Sequence, residues 1–162
     1  MKICRLLVLF FFVTVDLGAS AGESPQEIRN GPYLFCNVFT SSACFGIAQG
    51  DKLNMEIVTD FVLYHISFSF GRSATIYSGF NPNMSASHGK NFEKCVGHND
   101  FAECKRRNLD DGGIEFLARK DKDSQFLHVV ISAGADGISL ADSFLQNVRA
   151  CSRSSGVISC TP

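Results

Sequence analysis

Phe61-Val62-Leu63-Tyr64-His65-Ile66-Ser67-Phe68-Ser69-Phe70 is the stretch on which the fold turns. Val62, Tyr64, Ile66, Phe68 and Phe70 fall on one side of an extended chain. His65, Ser67 and Ser69 fall on the other, with Phe61 and Leu63. An apolar side alternating with a largely polar one at a period of two is the mark of a half-buried β-strand.

Working outward from this strand, shorter β-rich runs occur at 33–39, 53–58, 74–80, 114–118 and 126–132. Turn-forming residues separate them at Gly50-Asp51, Gly71-Arg72, 110–113 and 133–137. Many short strands at this spacing predict a mostly β protein, an antiparallel β-sandwich of jelly-roll-like form. Two segments depart from the pattern. Ser24-Pro25-Gln26-Glu27 has the form of a capping box with Pro at the first helical position, and Asn30-Gly31 can stop it, so a single helical turn is expected near 25–30. Ser139 with Asp142 three residues on, followed by the apolar set Leu140, Phe144, Leu145 and Val148, fits an amphipathic helix over 139–149 at least as well as a strand.

The start of the chain reads as an address. Lys2 and Arg5 precede an apolar run from Leu6 to Val15, and Ala19-Ser20-Ala21 supplies small residues where a signal peptidase cuts, so 1–21 is expected to be a cleaved signal peptide. The run is about half of the roughly 20 apolar residues that a membrane anchor needs, and Asp16 interrupts it. Residues 22–162 are then expected to form one domain, secreted and extracellular, with no membrane anchor. The 162 residues carry a formal charge of −1, which gives no electrostatic case for a nucleic-acid partner.

Cys4 leaves with the signal. Cys36, Cys44, Cys95, Cys104, Cys151 and Cys160 remain, an even set that in an oxidising compartment argues for disulfides over metal ligation. They fall as three near neighbours along the chain, but links between chain ends fit the sequence as well, so the pairing is open. Asn83-Met84-Ser85 is an acceptor for an N-linked glycan beside the loop residues Gly79, Asn81 and Pro82.

Catalytic signals are thin. His98 and Asp100, between Cys95 and Cys104, loosely match the His-Asp stretch of secreted phospholipases. Asn99 separates them, and no glycine-rich calcium loop precedes them, so a solvated disulfide loop is the plainer reading. Cys95, His98 and Cys104 have the residue types of zinc ligands, but oxidation of the thiols outside the cell favours a bridge. His65 and His128 lie on predicted strands and lack the lysine and basic groove that an acid–base nuclease pair needs. Lys105-Arg106-Arg107, closely followed by Asp110 and Asp111, reads as a solvated loop rather than a heparin site. No Gly-x-Ser-x-Gly elbow occurs, and nothing calls for a cofactor.

From Gly46 onward the order of features resembles the galectins, jelly-roll lectins that bind β-galactosides. Gly50 with Leu53, then the strand 61–70 closed by Gly71, is similar to that family's Gly-x-x-Leu stretch and the strand after it. Ile76-Tyr77-Ser78-Gly79-Phe80-Asn81-Pro82-Asn83 resembles the sugar-binding strand ending His-x-Asn-Pro-Arg. Phe101-Ala102-Glu103-Cys104-Lys105-Arg106 stands where the family has Trp-Gly-x-Glu-x-Arg, and 113–119, 126–131 and 137–144 follow in order. The resemblance implies a ligand site made of Asn81, Arg106 as the second arginine, and Phe101 as a smaller stacking ring. Gly79 replaces the family's His, Asn83 its first Arg and Cys104 its Glu, so ordinary galactose binding is not expected. In the order of Cys36, Cys44, Gly50, the 79–83 stretch, Cys95, Cys104 and Cys151, the chain is also similar to the MD-2-related lipid-recognition domains, sandwiches that hold lipid between their sheets.

The function these readings favour is binding without turnover. The partner is expected to be a glycan, a small apolar ligand or an extracellular protein. Convergent polar residues on a concave face would mark the first and an enclosed apolar cavity the second.

Overall fold

The computed structural model describes residues 36–82, 91–134 and 138–160. The expected signal peptide over 1–21, the helical turn near 25–30 and the sequon at Asn83 lie outside the described residues.

Two antiparallel sheets carry the chain. The smaller has four strands in the order β1 (Val38–Phe39), β2 (Ala43–Phe45), β10 (Arg149–Ser154) and β11 (Val157–Cys160), so residues from both ends of the described chain meet in it. The larger has seven strands in the order β3 (Lys52–Val58), β4 (Phe61–Ser67), β5 (Ser73–Gly79), β9 (Phe126–Ile131), β8 (Ile114–Arg119), β7 (Glu103–Asn108) and β6 (Glu93–Lys94). It is two meanders, β3–β5 and β6–β9, zipped together by antiparallel pairing of β5 with β9 from Ala74↔Ile131 to Gly79↔Phe126. The expected antiparallel sandwich is thus present, with the large sheet wound as two meanders.

The alternation along 61–70 sets which side of the large sheet is buried. Tyr64, Ile66 and Phe68 are buried, whereas His65, Ser67 and Ser69 are exposed. Register carries this side across the sheet: Tyr64 stands opposite Ile76, Ile76 opposite Val129, and Val129 opposite Phe116. Since side chains directly opposite across a pair share a face, these four form one buried row. β4 ends three residues earlier than expected because Phe68 to Arg72 close the turn, with Phe68 N–H donating to the Arg72 carbonyl at 2.9 Å. Gly71 supplies the positive φ of 85° that this turn requires.

The small sheet and the helix α1 (Ile138–Gln146) pack on that buried side. Phe45 of β2 meets Tyr64 edge-on at 5.4 Å between ring centres, and Phe144 of α1 lies 6.0 Å from Phe45 and 5.2 Å from Phe68. Ala141, Phe144, Leu145 and Val148 are all buried, the i, i+3, i+4, i+7 spacing of a helical face turned to the core. The segment left open between helix and strand is therefore a helix, ending at Gln146 so that β10 can begin at Arg149. Its last turn tightens, with Asn147 N–H reaching the Phe144 carbonyl and Val148 N–H that of Leu145, while the Asn147 side chain caps the Ser143 carbonyl at 2.8 Å.

The cysteine pairing that was open is local throughout: Cys36–Cys44, Cys95–Cys104 and Cys151–Cys160. Three disulfides suit an oxidising compartment. Among the described residues no helix is long and apolar enough to cross a membrane.

Candidate functional site

A pocket of about 450 Å³ opens between the β6–β7 end of the large sheet and the C-terminal half of α1. Glu93 and Lys94 of β6, Arg106 of β7 and Asp142 of α1 supply its charges. Phe116 and Leu145 supply apolar wall, and His98 enters from the loop between the strands. Each part has a local cause. The strand alternation turns Arg106 toward α1, since it stands opposite Phe116 in the buried row. There its guanidinium meets the Asp142 carboxylate at 2.9 Å, tying helix to sheet. The loop holding His98 is closed by the Cys95–Cys104 bridge and by Cys95 N–H donating to the Cys104 carbonyl at 3.2 Å.

His98 is the unusual member. It is 7% exposed, packed 5.3 Å edge-on to Phe116 and 6.1 Å from the Phe101 ring. Its Nδ1 has no hydrogen-bond partner within the protein, the one buried side-chain nitrogen or oxygen among the described residues of which this is true. Burial lowers its pKa from the usual 6.5; Asp100 and a hydrogen bond to the Val148 backbone oppose that shift, and Arg149 and Arg106 reinforce it. His98 is therefore neutral at pH 7. In a neutral imidazole one ring nitrogen donates and the other accepts, so Nδ1 can meet a hydroxyl group in either sense. Leaving such an atom buried and unpaired costs about 1–3 kcal/mol.

The other residues singled out in the sequence are scattered. Phe101 is 7% exposed and lies in the core, so its ring offers no open face on which a sugar can stack. Asn81 lies just past β5 in a separate hollow of about 580 Å³ beside Asp60, Phe61, Tyr77, Phe80 and Gln125, where its N–H donates to the Tyr77 hydroxyl at 3.0 Å. β9 and β8 separate β5 from β7, three strand spacings or about 14 Å, so Asn81 does not join Arg106 in one site. Gly79, which stands where the galectin pattern has His, cannot be given a side chain without striking the Tyr77 ring and Phe61.

Asp100 Oδ2 accepts the Ala150 N–H at 2.6 Å, fastening the disulfide loop to β10. His65 is exposed on β4 and His128 is buried on β9, with β5 between them. Cys95 and Cys104 are bridged, which removes them as zinc ligands.

Lys105-Arg106-Arg107 is strand, not solvated loop, and each member has an acidic partner. Lys105 pairs with Glu103 at 2.9 Å, Arg106 with Asp142, and Arg107 with Glu115. The last of these sits on the face of the sheet turned away from α1. There Glu115, 1% exposed, also takes His128 Nε2 at 2.7 Å, while the Arg107 guanidinium lies 4.7 Å over the Phe92 ring. This buried trio was missed in the sequence. Arg107 and His128 lie 8 and 13 residues from Glu115, and only cross-strand register brings the three together.

Compared with protein-family models, with curated proteins and with solved structures, the chain matches none.

Proposed function

We propose that the protein is secreted and acts by binding, without turnover, and that the pocket between β6–β7 and α1 takes a sugar-sized polyhydroxylated ligand, such as the terminal residue of a glycan. The single observation that carries the reading is His98: an imidazole in a pocket wall with its Nδ1 unpaired. A ligand hydroxyl, which both gives and accepts, would recover the cost of burying that nitrogen. The Arg106–Asp142 pair offers donors and acceptors side by side, which suits hydroxyl groups that both give and accept. Val96, exposed at the pocket rim, offers an apolar surface for the C–H faces of a ring. The lining is mixed and largely polar, which favours a glycan over the acyl chain of a lipid. Secretion rests on the charged start, apolar run and small residues of 1–21, and on three bridges that need an oxidising compartment.

The test is a glycan array probed with the protein secreted from eukaryotic cells, run in parallel with native mass spectrometry of the same sample. Selective array binding that is lost in His98→Leu and Arg106→Ala, but kept in Asn81→Ala and Phe80→Ala, supports the reading. Loss only in the second pair moves the site to the hollow beyond β5. A co-purified lipid, or silence on the array, overturns it.

A further inference from the structure

We infer that β3 is a dimerisation edge, and that its occupant is the β3 strand of a second copy of this chain, paired antiparallel about a two-fold axis to extend the seven-stranded sheet through both molecules. β3 is the outermost strand on its side of the large sheet and is paired along its whole length with β4, from Lys52↔Ser67 to Val58↔Phe61. Among the described residues its outward edge is unpaired, and alternate residues along the strand turn their backbone donors and acceptors outward there. Every one of those residues but Val58 is exposed. The exposed set includes Leu53, Met55 and Ile57 at 37%, 52% and 73%, on the same side as the buried Tyr64 and Ile66. The core face of the sheet thus continues onto an edge strand that none of the described residues covers.

The devices that usually blunt such an edge are few here. The strand contains no proline, is not short, and carries no charge on its apolar side. Its two charges favour a second copy. When β3 is paired with itself about Asn54, Lys52 falls opposite Glu56 of the other copy and Glu56 opposite its Lys52. On the reverse face Leu53 falls opposite Met55 in both directions. Both charge pairs are attractive and the apolar stripes merge into one. A closed isologous contact of this kind stops at two molecules. Each charge pair contributes modestly, so the dimer is expected to be concentration-dependent.

The test uses the secreted protein and sedimentation velocity over a concentration series. The unchanged protein should pass from monomer to dimer. Lys52→Glu alone makes both charged positions acidic and Glu56→Lys alone makes both basic; each should raise the dimer dissociation constant about tenfold or more, from two like-charge pairs replacing two opposite ones. Mixing the two single variants should restore dimers, and so should Lys52→Glu/Glu56→Lys in one chain. Near-ultraviolet circular dichroism establishes that the variants keep the fold. A protein that stays monomeric throughout, dimers indifferent to both single substitutions, or failure of the mixture to associate overturns the inference.

Discussion

At one end of the large sheet the last strand, β6, is two residues long, runs into the Cys95–Cys104 bridge and faces α1 across a pocket lined with charges. At the other end β3 is seven residues long, has no bridge, and shows solvent its apolar side chains. Both ends belong to the same sheet, so the difference is one of what covers them. The β6–β7 end sits under the helix, and its charges are consumed in pairs within the molecule: Arg106 with Asp142, Arg107 with Glu115. The β3 end extends past the cover that Phe45 and Phe144 provide over Tyr64 and Phe68. A sheet finished in this way has one end organised for its own structure and the pocket, and another whose residues are available to a neighbour.

The comparison breaks first if the covered part proves dispensable. Phe144→Ala removes the ring that touches both Phe45 and Phe68 and should cost about 3–5 kcal/mol of stability, read as a lower denaturation midpoint in urea at an unchanged slope. Glu115→Ala removes the carboxylate that Arg107 and His128 share in a buried site and should cost about 3–5 kcal/mol by the same measurement, with Glu115→Gln costing less because one amide oxygen can still accept. Replacing Cys95 and Cys104 together by Ala should cost about 2–3 kcal/mol, since the bridge closes only a short loop. That variant should also weaken any ligand of the neighbouring pocket.

Acid should act on the same end. Because burial lowers the pKa of His98 in the folded chain, the unfolded chain binds the proton first as pH falls through 6.5, and stability is lost from there down to the lowered folded value. Above 6.5 both states are neutral and the residue contributes no slope. Chemical unfolding followed between pH 7.5 and 5 should show that decline, and His98→Gln should flatten it; equal slopes in the two proteins would remove His98 as the source. The smallest effect belongs to the far end. Ile57→Lys on β3 should change the stability of the monomer by no more than about 0.5 kcal/mol, a sharp contrast with Phe144→Ala on the same apolar side of the sheet.

How much of this could be read in advance also differs between the two ends. The β-rich runs 53–58, 61–70, 74–80, 114–118 and 126–132 reappear within a few residues as β3, β4, β5, β8 and β9, and the alternation read in 61–70 reappears as burial along β4. β7 was invisible: Glu103-Cys104-Lys105-Arg106-Arg107-Asn108 has charges on both faces, and they are sheltered by partners that other strands and the helix provide. β2, β10 and β11 were missed for a related reason, since in β2 all three residues are buried and nothing alternates, while β10 and β11 are Ser- and Cys-rich hairpin arms held by Cys151–Cys160. His98 was noticed for its sequence neighbours, but the burial that leaves its Nδ1 unpaired depends on Phe116 and Phe101, which approach it only in the folded chain. The galectin pattern placed Asn81, Phe101 and Arg106 together. Register places them at the end of β5, in the core and at mid-β7, because β9 and β8 are inserted between the strands the pattern would make neighbours.

All three bridges span 8 or 9 residues of sequence, and the mechanical consequence concerns a chain under tension. A bridge hides from a stretching force only the residues inside its loop, and at about 3.5 Å per extended residue each would withhold roughly 30 Å of contour. No bridge joins the two sheets. Pulled by its ends, the small sheet would part at the β2–β10 seam, which no bridge spans, while the β1–β2 and β10–β11 hairpins stay shielded inside the Cys36–Cys44 and Cys151–Cys160 loops, and the oxidised chain would fall short of the reduced one by the three withheld loops.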